Sequence, residues 1–277
     1  MKRNRFLGQD GIEPTSLVRS EMVGAIFMLT LDRPAKLNAL TLDMVVSLRQ
    51  LLLDVPSEAR SVVIIGSGRA FCAGADLNLL SRPALNENRV FLQVLNEMLL
   101  AVRLCSVPVV AALNGLAVGG GAELAGQADF RIFGRSARIQ YPDVAIGSTP
   151  ATVQRLVRCV GEARARRMVL LGEWLTAEEA LSCGYAHDLV DDADVMSRAL
   201  ALAADLALLP PMSIALTRKA IELSYQVSAD VELAMTVETM ALCFADGTQS
   251  RLVRDLIAGS GQPLPDSKPM TECHKSH

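Results

Sequence analysis

The chain has 277 residues, 51% of them hydrophobic and 21% charged, with a formal net charge of −3. That is enough apolar material to bury a full-sized core without staples, and the interspersed charges present no basic footprint for nucleic acid and no Lys/Arg block for a membrane surface. The six cysteines, at 72, 105, 159, 183, 243 and 273, form no CxxC pair and mostly sit in apolar runs, as reduced thiols of a cytoplasmic protein do.

The basic start Met1-Lys2-Arg3-Asn4-Arg5 leads into polar sequence, with no apolar stretch long enough for a signal peptide or a membrane span. Met22 to Leu31 (MVGAIFMLTL) and Ser61 to Ile65 (SVVII) are short apolar runs rich in β-formers, predicted as buried strands. Between them Thr41 to Leu53 has a Thr cap and an acidic first turn, the marks of a helix start. Val90, Phe91, Val94, Leu95, Met98, Leu99 and Val102 recur at helical spacing, and Pro108 then opens a further strand, PVVAAL. After about Gly161 the pattern turns to helices alone, with Thr176 and Glu179 placed as a capping box and amphipathic stretches around 194–209, 211–224 and 230–245. The tail from Gly259 to His277 is too rich in Pro, Ser, Lys and Gly to order itself, and its Cys273, His274 and His277 are incidental rather than a metal site.

Three segments carry chemistry. Gly68 to Leu77 (GRAFCAGADL) follows a strand with small residues, so backbone there can approach a ligand closely. Asn114 to Glu123 (NGLAVGGGAE) follows another strand and enters a helix through three glycines, whose unpaired N–H groups and helix dipole form either an anion site or a tight packing contact. Glu123, three residues beyond Gly120, falls on the same helical face and is costly to bury without a role or an ion-pair partner. Asp143, in the loop Tyr141-Pro142-Asp143-Val144, is a second acidic candidate or a helix cap.

Several stretches together resemble the crotonase (enoyl-CoA hydratase/isomerase) superfamily, from Leu29 to about Phe244. Arg33-Pro34-Ala35-Lys36-Leu37-Asn38-Ala39-Leu40 is similar to its RPxxxNAL signature, AFCAGADL to its first oxyanion segment, NGLAVGGGAEL to its second, and Leu170 to Ala180 followed by Gly184 to its later helical signature. The resemblance implies an α/β fold, a spiral of ββα units over about 1–195 and a helical trimerisation region over 196–258, while composition leaves 259–277 as a disordered tail. It implies a homotrimer, often doubled to a hexamer. The apolar positions Leu200, Leu202, Leu206, Leu208, Leu209, Ile214 and Leu216 point the same way.

By the same resemblance the backbone N–H groups of Ala75 and Gly120 polarise a thioester carbonyl. Lys36, Ala73, Ala75, Asp76, Leu77 and Gly120 contact a coenzyme A substrate, and no separate cofactor or metal is implied. Glu123 activates water and Asp143 stands where the family's second glutamate is expected. Three departures accompany this: Asp143 is shorter by one methylene, about 1.5 Å of reach; Gly147 to Gln154 lacks a glycine-rich turn and is a residue or two shorter; and Ser250-Arg251-Leu252 and Ala258-Gly259-Ser260 replace lysines that meet the coenzyme phosphates, which leaves a carrier-protein arm as another handle. The implied activity is hydration of a 2-enoyl-CoA to a 3-hydroxyacyl-CoA. Enoyl-CoA isomerisation, acyl-thioester hydrolysis or decarboxylation, and a non-catalytic acyl-binding role are the alternatives.

Overall fold

The computed structural model describes residues 17–81, 85–245 and 247–258; the expectations for the N-terminus, the tail beyond Ala258 and its Cys273, His274 and His277 lie outside them. The chain divides into two compact units between Ala207 and Leu208.

The first unit is built on two sheets. Strands β1 (Val18–Val23), β2 (Ile26–Leu31), β3 (Ser61–Gly66), β5 (Val109–Leu113), β7 (Phe130–Gly134) and β10 (Asp188–Val190) make a six-stranded sheet in that order. Strands β4 (Ala70–Cys72), β6 (Leu116–Val118), β8 (Arg138–Gln140) and β9 (Leu175–Thr176) make the second. All neighbours are parallel except the β1–β2 and β8–β9 pairs. The chain therefore alternates a strand in the first sheet with a short one in the second before a helix, β3–β4, β5–β6 and β7–β8. This is the expected spiral of ββα units. The expected single strand 22–31 is instead a hairpin, because Gly24 takes a left-handed φ of 60° and reverses the chain between β1 and β2. The expectation of helices alone after Gly161 is likewise corrected: β9 and β10, two and three residues long, are too short to show a period, and β10 completes the large sheet.

Strand β3 explains why SVVII reads as an unbroken apolar run. Val62 and Ile64 point into the main core, Val63 and Ile65 into a second cluster on the opposite face, so both faces are covered, as in a parallel sheet. The main core is closed by α1 (Leu42–Leu53), capped by the Thr41 hydroxyl accepting from Met44 N, and by α3 (Leu85–Arg103), which follows the single-turn α2 (Leu77–Leu80). Met44, Val45, Leu48 and Leu52 form the buried face of α1, each contributing roughly 1.5–3 kcal/mol. The second cluster is closed by α8 (Val195–Ala207), which buries Val195, Ala199 and Ala203 at four-residue spacing. Leu200, Leu202 and Leu206 pack into that cluster, so these three are not surplus apolar surface as the sequence suggested.

Between these lie α4 (Gly120–Gln127), α5 (Val153–Val160), α6 (Glu162–Leu170) and α7 (Ala177–Ser182), the last with its capping box formed by Thr176 and Glu179. The second unit holds α9 (Pro211–Leu223), α10 (Ala229–Ala245) and α11 (Thr248–Ile257), the last not foreseen from sequence.

Asn38 gives the RPAKLNAL stretch its physical meaning. Fully buried and left-handed at φ 56°, a conformation Asn tolerates, it donates its Nδ2 to the carbonyls of Ser67, Ala70 and Phe71 at 3.0, 2.9 and 3.2 Å. Its Oδ1 accepts from Arg33 N at 2.9 Å. One side chain thus pins the turn at Pro34–Lys36 to the start of β4. Asn38→Ala strands these groups in a dry interior and is expected to cost roughly 2–4 kcal/mol, read as a fall in the urea midpoint; a parent-like midpoint contradicts this.

Candidate active site

The segments singled out for chemistry follow the C-terminal ends of three adjacent parallel strands, β4, β6 and β8. The polypeptide leaves β4 through Ala73-Gly74-Ala75-Asp76, leaves β6 through Gly119 into α4, and leaves β8 through Tyr141-Pro142-Asp143. Strand pairing therefore brings together Ala75, Gly120, Glu123 and the Asp143 loop, which are far apart in sequence.

The first loop runs beside Leu40. Leu40 N donates to Gly74 O at 2.7 Å and Asp76 N donates to Leu40 O at 2.9 Å, the two bonds of a parallel bridge centred on Ala75. In such a bridge the N–H of the central residue points the other way, so the Ala75 amide faces away from Leu40. Arg33 fixes the same loop from outside, donating to Asp76 Oδ2 at 2.6 Å and to Ala39 O at 3.1 Å. Asp76 Oδ1 in turn accepts from Asn78 N at 3.0 Å, and the Arg33 bond foremost holds the Asp76 carboxyl below the usual range. The carboxylate of Asp76 is thus a strut of the loop.

The second loop passes close by. Gly119, at φ 49°, donates its N–H to Gln140 O at 2.9 Å and begins α4. A Cβ on Gly74 would lie 2.5 Å from Val118 O and 3.3 Å from Gly120 N, and one on Gly121 would lie 2.1 Å from Cys72 O. The glycine run thus serves both readings at once: Gly121 is a packing glycine, and Gly120, first residue of α4, has an N–H with no partner among the described residues. The Ala75 amide likewise has none among them. Of the other sequence candidates, Lys36 is exposed at the turn after Arg33, Ala73 is half-buried with its N–H donated to Leu37 O, and Leu77 is 71% exposed at the start of α2.

Glu123 is buried in the first turn of α4. Among the described residues no cation pairs with it; instead its Oε1 accepts from the backbone N–H groups of Ala151 and Thr152, the latter at 3.1 Å. These donors lie at the N-terminal end of α5. Burial raises the Glu123 carboxyl from its ordinary 4.5 to about 7, the Ala151 amide opposes that, nearby Asp143 adds to it, and the Thr152 amide opposes it. Asp143 itself is raised by burial. Its side chain makes no cap on the following single turn, contrary to one sequence reading, and its Oδ2 is buried without a partner among the described residues. The site thus sets two unpaired backbone donors against two carboxyl groups whose proton affinity burial raises, an arrangement for stabilising an enolate oxygen while protons move. Sequence reasoning missed the Ala151 and Thr152 amides, although the altered turn at 147–154 marked the place.

Comparison with known proteins agrees with this chemistry. The sequence pattern of the enoyl-CoA hydratase/isomerase family matches residues 21–249, and the chain belongs to that family. It is 32% identical over 234 residues to a short-chain-enoyl-CoA hydratase of Clostridium acetobutylicum, covering 83% of this chain and 90% of that one. It is 37% identical over 220 residues to a probable enoyl-CoA hydratase of Rhodobacter capsulatus, covering 79% and 86%. Among solved structures, Pseudomonas aeruginosa DspI superposes with a TM-score of 0.86 at 29% identity, covering 93% of this chain and all of that one.

Glu123→Gln is expected to lower turnover by about 10²–10⁴ while the protein still folds. The folded carboxyl holds its proton up to about 7 against 4.5 ordinarily, so its stabilising contribution is complete below about 4.5 and lost as pH rises through about 7. The urea midpoint of Glu123→Gln should therefore gain on the parent's between those pH values; a gap independent of pH contradicts the raised carboxyl.

Proposed function

We propose that the chain hydrates a 2-enoyl-CoA to a 3-hydroxyacyl-CoA. The observation that carries this reading is the pair of unpartnered N–H groups of Ala75 and Gly120 beside a buried Glu123 whose Oε1 is already satisfied by two amides. The thioester oxygen accepts from Ala75 and Gly120, with the positive end of α4 behind it. Glu123, through Oε2, takes a proton from water as the water oxygen bonds to the β-carbon. The π electrons of the double bond move onto the thioester as an enolate held by the two amides. Asp143, whose proton affinity burial raises, delivers a proton to the α-carbon, and the two carboxyl groups return to their starting states by exchange with solvent. Every step uses backbone donors or carboxyl groups, so no cofactor beyond the thioester itself is required. The relatives' names support the same substrate class.

The test is a panel of enoyl-CoA thioesters followed at the enoyl-thioester absorbance with product masses. Loss of absorbance with gain of one water supports the reading; no turnover on any member contradicts it. Asp143 refines it. Because its Oδ2 is already enclosed and the neighbouring turn is shortened, Asp143→Glu should crowd the pocket and lower native activity, whereas a clear gain in hydration would mean that reach alone is limiting.

The assembly belongs to the same proposal. In the second unit none of the described residues from 208 on is buried, and Ile221, Leu233, Val237, Met240, Phe244 and Ile257 are all more than half exposed. That much apolar surface calls for a partner, and we assign it to other copies of this chain in a trimer or hexamer. A cytoplasmic setting suits the five free thiols among the described residues, of which Cys72, pushed up to about 12 by burial, is inert. Light scattering at micromolar concentration should give three or six times the 29.7 kDa chain mass; a monomer contradicts the assembly.

A further inference from the structure

Helices α4 and α5 hold each other by their ends. Glu123, in the first turn of α4, accepts from the amides of Ala151 and Thr152 at the N-terminal end of α5. In return Arg155, in the first turn of α5, reaches the far end of α4: its Nε donates to Gly126 O at 2.6 Å and its Nη2 to Ala128 O at 3.4 Å. The two ties are reciprocal caps, a carboxylate at one helix's N-terminus and a guanidinium at the other's C-terminus, each of the sign the helix dipole favours. Arg131, from β7, donates to the same Ala128 carbonyl at 2.8 Å, so the C-terminal end of α4 is the firm point from which α5 is positioned.

We infer that Arg155 is a positioning residue for the reaction: by clamping α5 to the end of α4 it holds the Ala151 and Thr152 amides on Oε1 of Glu123, which leaves Oε2 to face water. The inference rests on the hydratase reading for its kinetic consequence, while the geometry of the clamp stands apart from it. The turn that leads to these amides, 144–149, is exposed, and Gly147 within it is left-handed at φ 78° with open space around it. Leu156 packs α5 into the core from one side, and the two end contacts tie it to α4, so they help define where the amides fall.

The direction of the effect follows from the surroundings of Glu123. The ionisable groups that act on it are Asp143 and Tyr141, both from the segment after β8, while Arg155 from α5 and Arg131 from β7 bind the opposite end of α4. Glu123 lies in α4, which is buried from Gly121 to Gln127 and packs on α3, β4 and β6 as well as on α5, so most of that packing remains when α5 shifts. Loosening the clamp therefore removes the amides, which favour the ionised form, and keeps most of the burial, which opposes it. Glu123 should then hold its proton to higher pH.

Arg155→Met tests this. The Glu123 carboxyl is followed by its infrared band against pH, identified by its loss in Glu123→Gln, and kcat and KM are measured across the same range. The expected result is a titration about half a unit to one unit higher than in the parent, with the acid limb of kcat displaced alike, kcat lower by about tenfold to a hundredfold, and KM little changed. Arg155→Lys, which keeps a cation and a donor, should recover part of the shift. A titration unmoved or moved down overturns the inference, even where the rate falls, because a purely structural arginine would lower rate without displacing the carboxyl. If Arg155→Met does not fold, Arg155→Gln, with one donor left for the Gly126 carbonyl, must show the same upward shift in smaller measure, and its absence overturns the inference equally. A parent that turns over no enoyl-CoA defeats the functional reading, whereas the infrared titration still decides the clamp.

Discussion

The active site depends on one close approach of backbone to backbone. The loops leaving β4 and β6 meet where a Cβ on Gly74 would strike Val118 O at 2.5 Å and one on Gly121 would strike Cys72 O at 2.1 Å. Side chains would force these loops apart. With glycine there, the Ala75 amide, turned outward by its bridge to Leu40, and the Gly120 amide, unpaired at the start of α4, come to lie in neighbouring loops. The buried network of Arg33, Asn38 and Asp76 holds the first loop in place, and the Gly119 bond to Gln140 holds the second against β8. Backbone donors can be positioned only in this way, by what lies around the backbone.

The second half of the site is an electrostatic compromise. Burying Glu123 disfavours its charge, and Asp143 nearby disfavours it further, whereas the amides of Ala151 and Thr152 favour it. A carboxylate surrounded only by apolar groups would stay protonated at neutral pH, and one in water would be too weak a base. The balance places Glu123 near 7, where it can both accept and return a proton. Asp143, raised by burial without a charged partner, is suited to the complementary role of donor. The two acids thus sit in different surroundings, and the amides at the start of α5 act on Glu123.

Much of this was legible in the amino-acid sequence. The strand-then-glycine-then-helix order around Gly120, the apolar setting of Glu123 and the helical spacing of Val94, Met98 and Val102 all have local causes and survive in the structure. What could not be read is what depends on residues distant in sequence. Strands β9 and β10 are too short to show a period and exist because β8 and β7 offer them an edge. The hairpin at Gly24 was concealed by apolar residues on both sides. Leu200, Leu202 and Leu206 looked like surplus surface until the sheet that covers them was known. The motif around Asn38 was recognisable by resemblance, but its cause, a single amide serving two carbonyls of β4 and one of the turn before it, lies in the fold alone. The partners of Glu123 were invisible for the same reason, since backbone amides leave no mark in composition.

The central claim is that water attached at the β-carbon, with the electrons parked on an oxygen held by two amides, is the reaction this site performs. Turnover of a 2-enoyl-CoA in water labelled with heavy oxygen tests it most directly, with the position of the label read by fragmentation of the product. The account predicts one labelled hydroxyl at C3 of an intact acyl-CoA. Label in a released carboxylic acid, or an unlabelled acyl-CoA with its double bond moved, would contradict it.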